Sequence, residues 1–157
     1  MAVEIAAERP DSPDAEQLIL ELEAHLEPRY PAASRHGFSV QRLLDERVDF
    51  YVLRSDGRAA ACGGVLIVPP TDGDVAYGEV KRMYVRPAFR GQGFGRAILD
   101  RLADGARERG VSVLRLETGI HQVEAIGLYE RAGFRAIGPF GAYADDPLSR
   151  YFEKRLA

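Results

Sequence analysis

The chain has 157 residues, of which 46% are apolar and 29% charged, a balance that excludes a disordered or membrane-built protein and gives one domain, residues 1–157, room for a sizeable core. With 24 acidic against 21 basic residues the net charge is −3, so no broad basic footprint for nucleic acid is expected. The one cysteine, Cys62, has no partner for a disulfide or a cysteine metal site, and His25, His36 and His121 lie too far apart in sequence for a helical metal pair, so no metal is expected.

The longest apolar run, residues 59–68, is too short to cross a bilayer. The N-terminus has no positive region followed by an apolar stretch. A cytoplasmic protein without a membrane partner is the expectation.

Residues 3–7 read as a short strand ended by Arg9-Pro10. Ser12 or Asp14 caps a helix running to about Leu26, with Leu18, Leu22 and Leu26 recurring every fourth residue and Pro28 ending it. Ser39 caps a second short helix holding Val40, Leu43 and Leu44. Strands are predicted over 50–53, 58–68 and 74–85, joined by Ser55-Asp56-Gly57 and Thr71-Asp72-Gly73 turns, with a bulge at Gly63-Gly64. The period then lengthens to near four: Phe94, Ile98 and Leu102 line a helix that Gly110 ends. A strand over 111–117, a helix over 124–132 closed by Gly133, and strands over 134–137 and 150–156 complete the chain. The order β-α-α-β-β-β-α-β-α-β-β is an α/β arrangement on a mixed sheet.

The most informative stretch is Tyr84–Ile98, YVRPAFRGQGFGRAI. A strand ends, a proline breaks it, and Gly91, Gly93 and Gly95 open a helix. Such a loop turns backbone N–H groups towards one point, and the helix start adds unpaired donors and a positive dipole end. Together with Arg90 and Arg96 they make an anion site suited to phosphate. It is not a dinucleotide fingerprint, because Arg96 stands where the third glycine belongs, and it lacks the Lys-Ser/Thr of a Walker loop.

RGQGFG resembles the R/Q-x-x-G-x-G/A signature of the GNAT superfamily of N-acetyltransferases, and AIGLYERAGF at 125–134 resembles the family's A-x-x-L-Y-x-x-x-G-F segment. The resemblance is firm from Glu79 to Phe134 and weaker in the first helices. It implies a mixed, mostly antiparallel sheet of about seven strands flanked by four helices, with the fourth and fifth strands splayed. It implies acetyl-CoA as co-substrate and direct transfer to an amine without an acyl-enzyme. The backbone N–H groups of Arg90, Gly91, Gln92, Gly93, Phe94 and Gly95 then hold the pyrophosphate, with Arg96 adding charge beside it; Met83, Tyr84 and Val85 pair with the pantetheine arm, and the amides near Met83 and Val85 polarise the thioester carbonyl. Gln122 stands where the family often has an asparagine contacting the cofactor.

Tyr129 matches the tyrosine proposed to protonate the leaving thiolate; its other reading is a core ring. Glu79 matches a glutamate that some members use as general base, and regular alternation puts it on one strand face with Lys81, Met83 and Val85. Glu117 is a rival base or an amine-binding carboxylate. Cys62 reads as a buried structural thiol.

The loops before the second helix and before the last strand should wall an acceptor pocket, with Arg29, Tyr30, Arg35 and His36 from one and Phe140, Tyr143, Asp145 and Asp146 from the other. Arg29, Arg35 and Arg82 point to a substrate carboxylate, Asp145 and Asp146 to an amine. The function expected is N-acetylation of a small-molecule amine. The alternatives are acetylation of a protein lysine or N-terminus, a non-catalytic acyl-CoA-binding module, and a nucleotide-binding domain using the glycine loop for another phosphate. Family members are often dimers, so the resemblance also allows a homodimer.

Overall fold

The computed structural model describes residues 2–157. Its elements are β1 (Val3–Ala7), α1 (Pro13–Leu26), α2 (Val40–Asp45), β2 (Asp49–Ser55), β3 (Arg58–Val68), β4 (Tyr77–Val85), α3 (Phe94–Glu108), β5 (Val113–Gly119), α4 (Val123–Arg131), β6 (Arg135–Ile137) and β7 (Ser149–Arg155). This is the predicted order. The strands form one seven-stranded sheet in the order β1-β2-β3-β4-β5-β7-β6, with β4 and β5 the one parallel pair.

Local chemistry explains most boundaries. The Ser12 hydroxyl accepts the Ala15 N–H and Pro13 opens α1; the Ser39 hydroxyl accepts the Arg42 N–H and opens α2. Asp56 and Gly57 both take positive φ, the turn whose twist suits the β2–β3 hairpin. Gly133 closes α4 at φ 93°. Two strand starts shift by two or more residues from expectation. β4 begins at Tyr77, because Asp74 instead pairs with Thr71 in a small bridge and its carboxylate is taken by Arg115. β5 begins at Val113, because the Val111 N–H is bonded to the carbonyl of Ala106 in the exit of α3.

Both sheet faces are covered. Ile98, Leu102 and Ala106 of α3 pack with Leu114, Leu116 and Phe152 on one face. Leu18, Ile19 and Leu22 of α1 pack with Leu43, Val52 and Cys62 on the other. A third cluster of Tyr77, Phe140 and Tyr151 ties the loop before β7 to the sheet. No helix among the described residues is long and apolar enough to cross a membrane.

Two irregularities shape the centre of the sheet. β4 and β5 pair only at Gly78–Leu114 and Glu79–Arg115, and beyond that point they diverge, as the predicted splay requires. β4 also bulges. Cys62 faces Tyr84 and Gly64 faces Lys81, so Arg82 and Met83 together oppose Gly63. The extra residue therefore lies on β4, not at Gly63-Gly64 as the sequence suggested. Gly63 is needed for space: a Cβ there would stand 2.7 Å from both Met83 Sδ and Ile98 Cγ2. The bulge places Arg82 at φ 56° and reverses the alternation. Lys81 and Tyr84 meet the α1 face, while Val80, Met83 and Val85 meet the α3 face. The expectation that Glu79, Lys81, Met83 and Val85 share one face is corrected accordingly.

Candidate active site

The divergence of β4 from β5 leaves one edge of β4 without a strand partner from Val80 onward. Two cavities flank that edge. The outer one, about 620 Å³, runs from the end of β4 across the glycine loop to α4. The inner one, about 120 Å³, lies between the loop after α1, β4, β5 and Tyr143. Met83, Gln122, Ala125 and Tyr129 line both, so the two meet there.

The outer cavity collects the glycine loop and the start of α3. Gly91 and Gly93 take φ of 80° and 82°, and Gly93 is the left-handed N-cap of α3. No side chain caps α3 and its first turn holds no acid, unlike α1, where Asp14 and Glu16 occupy the first turn. Arg96, in the first turn of α3, lines the cavity while its Nε pairs with Asp100 at 3.2 Å. Gly95 serves packing: a Cβ there would come within 2.8 Å of Leu128 Cδ2, so α3 and α4 approach closely. Arg90 Nε donates to the carbonyl of Val85 at 3.0 Å, tying the loop to the end of β4.

The inner cavity holds the titratable groups. Ser149 Oγ donates to Glu117 Oε2 at 2.8 Å. Burial pushes the Glu117 carboxyl up despite that bond and the nearby His36 and Lys81. Burial, then the charge of Glu117, pushes the Tyr129 phenol up as well, so it stays protonated at neutral pH. Its hydroxyl has no hydrogen-bond partner among the described residues, although the ring is packed against Phe134 and Phe152. Glu79 is engaged elsewhere: Lys81 Nζ lies 2.9 Å from its Oε2, and the Tyr143 hydroxyl donates to the same oxygen at 2.5 Å. Tyr30 accepts the His121 N–H at 2.9 Å and stands 3.5 Å from Gln122 Oε1, pinning the loop before α4.

A family model described as the acetyltransferase (GNAT) family matches residues 14–134. The chain belongs to the GNAT acetyltransferase family. It is 45% identical over 154 residues to an IAA acetyltransferase of Azospirillum brasilense, covering 98% of each chain. It also resembles the crystal structure of a Klebsiella pneumoniae chain assigned to the acyl-CoA N-acyltransferases, at TM-score 0.80 and 34% identity, over 99% of this chain and 98% of that one. The PaiA N-acetyltransferase of Thermoplasma acidophilum, solved with coenzyme A, has the same fold at TM-score 0.73 and 18% identity, over 99% of each chain. As a GNAT member the protein is an acyltransferase with acetyl-CoA as co-substrate, and the uncapped helix start with its left-handed glycines fits the pyrophosphate of that molecule.

Within this GNAT frame the predicted residues fall mostly to one cavity or the other, with Met83, Gln122 and Tyr129 at the junction of the two. Met83, Tyr84, Val85, Arg90, Gly91, Gly93, Phe94, Gly95, Arg96 and Gln122 line the outer cavity, whereas Gln92 is exposed and lines neither. Tyr30, Glu117 and Tyr143 line the inner cavity with Arg35, His36 and Arg82; Glu79 lines neither. Arg29 belongs to the outer cavity, not to the acceptor wall. Phe140 is buried in the aromatic cluster, Asp145 is exposed, and Asp146 is taken by Ser34. Leu22, His25 and Leu26 were not foreseen as cavity residues. With Arg29 they recur at i, i+3, i+4 and i+7, so the apolar stripe that seats α1 on the sheet continues at its C-terminal end into the cavities.

Proposed function

We propose that the protein moves the acetyl group of acetyl-CoA directly to the amine of a small molecule, both substrates being bound together. The observation that carries this reading is the junction of a large cavity lined by the glycine loop with a small one at Tyr129 and Met83, with Glu117 on the small side. The glycine loop and the first turn of α3 hold the pyrophosphate, and the unpartnered edge of β4 from Val80 to Val85 aligns the thioester through its backbone.

Glu117 is the base in this proposal. Its raised carboxyl is a better proton acceptor than a solvent-exposed glutamate, and it lines the acceptor cavity. The acceptor ammonium gives a proton to Glu117, and the freed nitrogen lone pair attacks the thioester carbonyl. As the C–N bond forms and the C–S bond breaks, the new nitrogen gives up its second proton to solvent and Tyr129 donates a hydrogen bond to the departing sulfur. Full proton transfer to a thiolate with pKa ~8.5 is uphill from a phenol raised above ~10, so Tyr129 stabilises charge and solvent supplies the thiol proton. Glu79, paired with Lys81 and bound by Tyr143, orders the wall of the cavity.

The test is thiol release from acetyl-CoA with a panel of small amines, lysine peptides and free peptide N-termini. Release with small amines alone supports the proposal. Release with peptides alone makes the protein a peptide acetyltransferase, and release with none makes it an acyl-CoA-binding module.

A further inference from the structure

The charges around the inner cavity narrow the acceptor further. Arg35 and Arg82 both line it. Both turn to the same carboxylate, Glu23 of α1: Arg82 pairs with Oε1, and Arg35 Nη1 lies 3.7 Å from Oε2. Lys81 is matched by Glu79. Two arginine charges therefore share one glutamate at contact distance, the remaining carboxylate of the cavity, Glu117, being bound by Ser149 instead.

Each arginine also carries a buried Nε–H with no hydrogen-bond partner among the described residues. For Arg82 the whole side chain is 3% exposed. A buried charged donor left unpaired is costly. The chain nevertheless holds Arg82 in place with a strained backbone at φ 56° and with Gly37, where a Cβ would lie 2.1 Å from Arg82 Nη1. Such a group is stable when an anion completes it. Glu117, lining the same cavity, supplies the opposite charge.

We propose that the acceptor carries a carboxylate besides its amine: an amino-acid-like zwitterion, with the carboxylate held by the Nε–H groups of Arg35 and Arg82 and the amine turned to Glu117. This rests on the acetyl-transfer reading for the role of the amine alone. A planar carboxylate offers two oxygens to two donors, and a cavity of about 120 Å³ suits a small amino acid rather than a peptide.

The experiment titrates wild type, Arg35→Gln and Arg82→Lys, each with coenzyme A present, with the common amino acids and with the carboxamide of each. Binding is read by calorimetry, and thiol release from acetyl-CoA is followed on the same panel. At least one amino acid should bind ten- to a hundredfold more tightly than its carboxamide, the loss expected for one or two charge-assisted hydrogen bonds. Arg35→Gln, at a partly exposed position, should abolish that preference. Arg82→Lys, which keeps the charge and loses the Nε–H, should reduce the preference. Equal binding of acid and carboxamide, a preference that survives Arg35→Gln, or no binding by any amino acid overturns the inference. Preference in binding without thiol release refutes the transfer reading and keeps the carboxylate site. Thiol release indifferent to the carboxylate does the reverse.

Discussion

Replacing Glu117 with glutamine keeps the shape of the side chain and its contact with Ser149 but removes the base. An alkylamine with pKa ~10 is neutral in about one molecule in a thousand at pH 7, so exposing its lone pair costs ~4 kcal/mol. A positioned base recovers a share of that, typically ~10²–10⁴ in rate. Glu117→Gln should therefore lower kcat by about that range at pH 7, and the deficit should shrink about tenfold per pH unit until the amine is neutral in solution. In wild type the activity should fall on the acid side as Glu117 takes up its proton, at a pH above that of an ordinary glutamate because burial has raised it.

Ser149→Ala removes the 2.8 Å bond that favours the charged form. A bond to a charged group is worth ~1.5–3 kcal/mol, so the acid limb should move up by about one to two pH units. Stability gives an independent sign. A carboxyl raised in the folded state contributes stability that is present below its unfolded pKa and lost as pH rises through the folded value. At neutral pH, Glu117→Gln should accordingly raise Tm while it lowers activity. A wild-type pH–rate profile in Glu117→Gln, with the loss appearing in Glu79→Gln instead, refutes the reasoning and moves the base to Glu79.

Tyr129→Phe retains the packing against Phe134 and Phe152 and should lower kcat while leaving acetyl-CoA affinity near wild type, which a direct titration checks; unchanged kcat makes the tyrosine a packing residue. Gly93→Val forces a branched side chain into a left-handed position, at a cost of ~1–2 kcal/mol, and crowds the pyrophosphate; coenzyme A affinity should fall at least tenfold by calorimetry, and an unchanged value removes the loop from the cofactor site. Gly95→Leu should act on stability instead, because Leu128 stands where its Cβ goes; an unfolding free energy reduced by ~1–3 kcal/mol is expected, and an unchanged one refutes the close α3–α4 contact.

The elements and their order were legible because each carries a local signal: Ser12 and Ser39 as caps, Asp56-Gly57 as a turn, and the switch from alternation to a four-residue period at Phe94. The lining of the outer cavity was legible for the same reason, since its glycines, its uncapped helix start and two of its arginines sit within seven consecutive residues. The inner cavity was less so. Tyr30, Glu117 and Tyr143 come from three separated segments, and which of several loop charges turn inward depends on partners far along the chain. Asp146 is satisfied by Ser34, 112 residues away in sequence, and so leaves the wall to others. Glu79 fits the family's pattern, yet Tyr143 from the loop before β7 takes its carboxylate, 64 residues distant.

The bulge at Arg82 was the least legible feature and controls the most. Nothing in the run Glu79–Val85 marks it, for arginine has no preference for a positive φ and the strain costs ~1–2 kcal/mol. Its signal lies on the neighbouring strand, where Gly63 clears the space that Met83 fills. Without the extra residue, Met83 would take the face of Glu79 and Lys81, and the end of β4 would present Tyr84 towards α3. With it, Lys81 faces the side of the α1 core and Met83 the junction of the two cavities. The same residue brings its guanidinium to Glu23 and Arg35 at the acceptor wall. One strained position thus sets both the register of the edge offered to acetyl-CoA and the charge offered to the acceptor. Because one backbone distortion carries both, Arg82→Gly should relieve the strain, preserve the cofactor edge and weaken only the acceptor, which steady-state kinetics would read as a raised acceptor KM at unchanged acetyl-CoA KM.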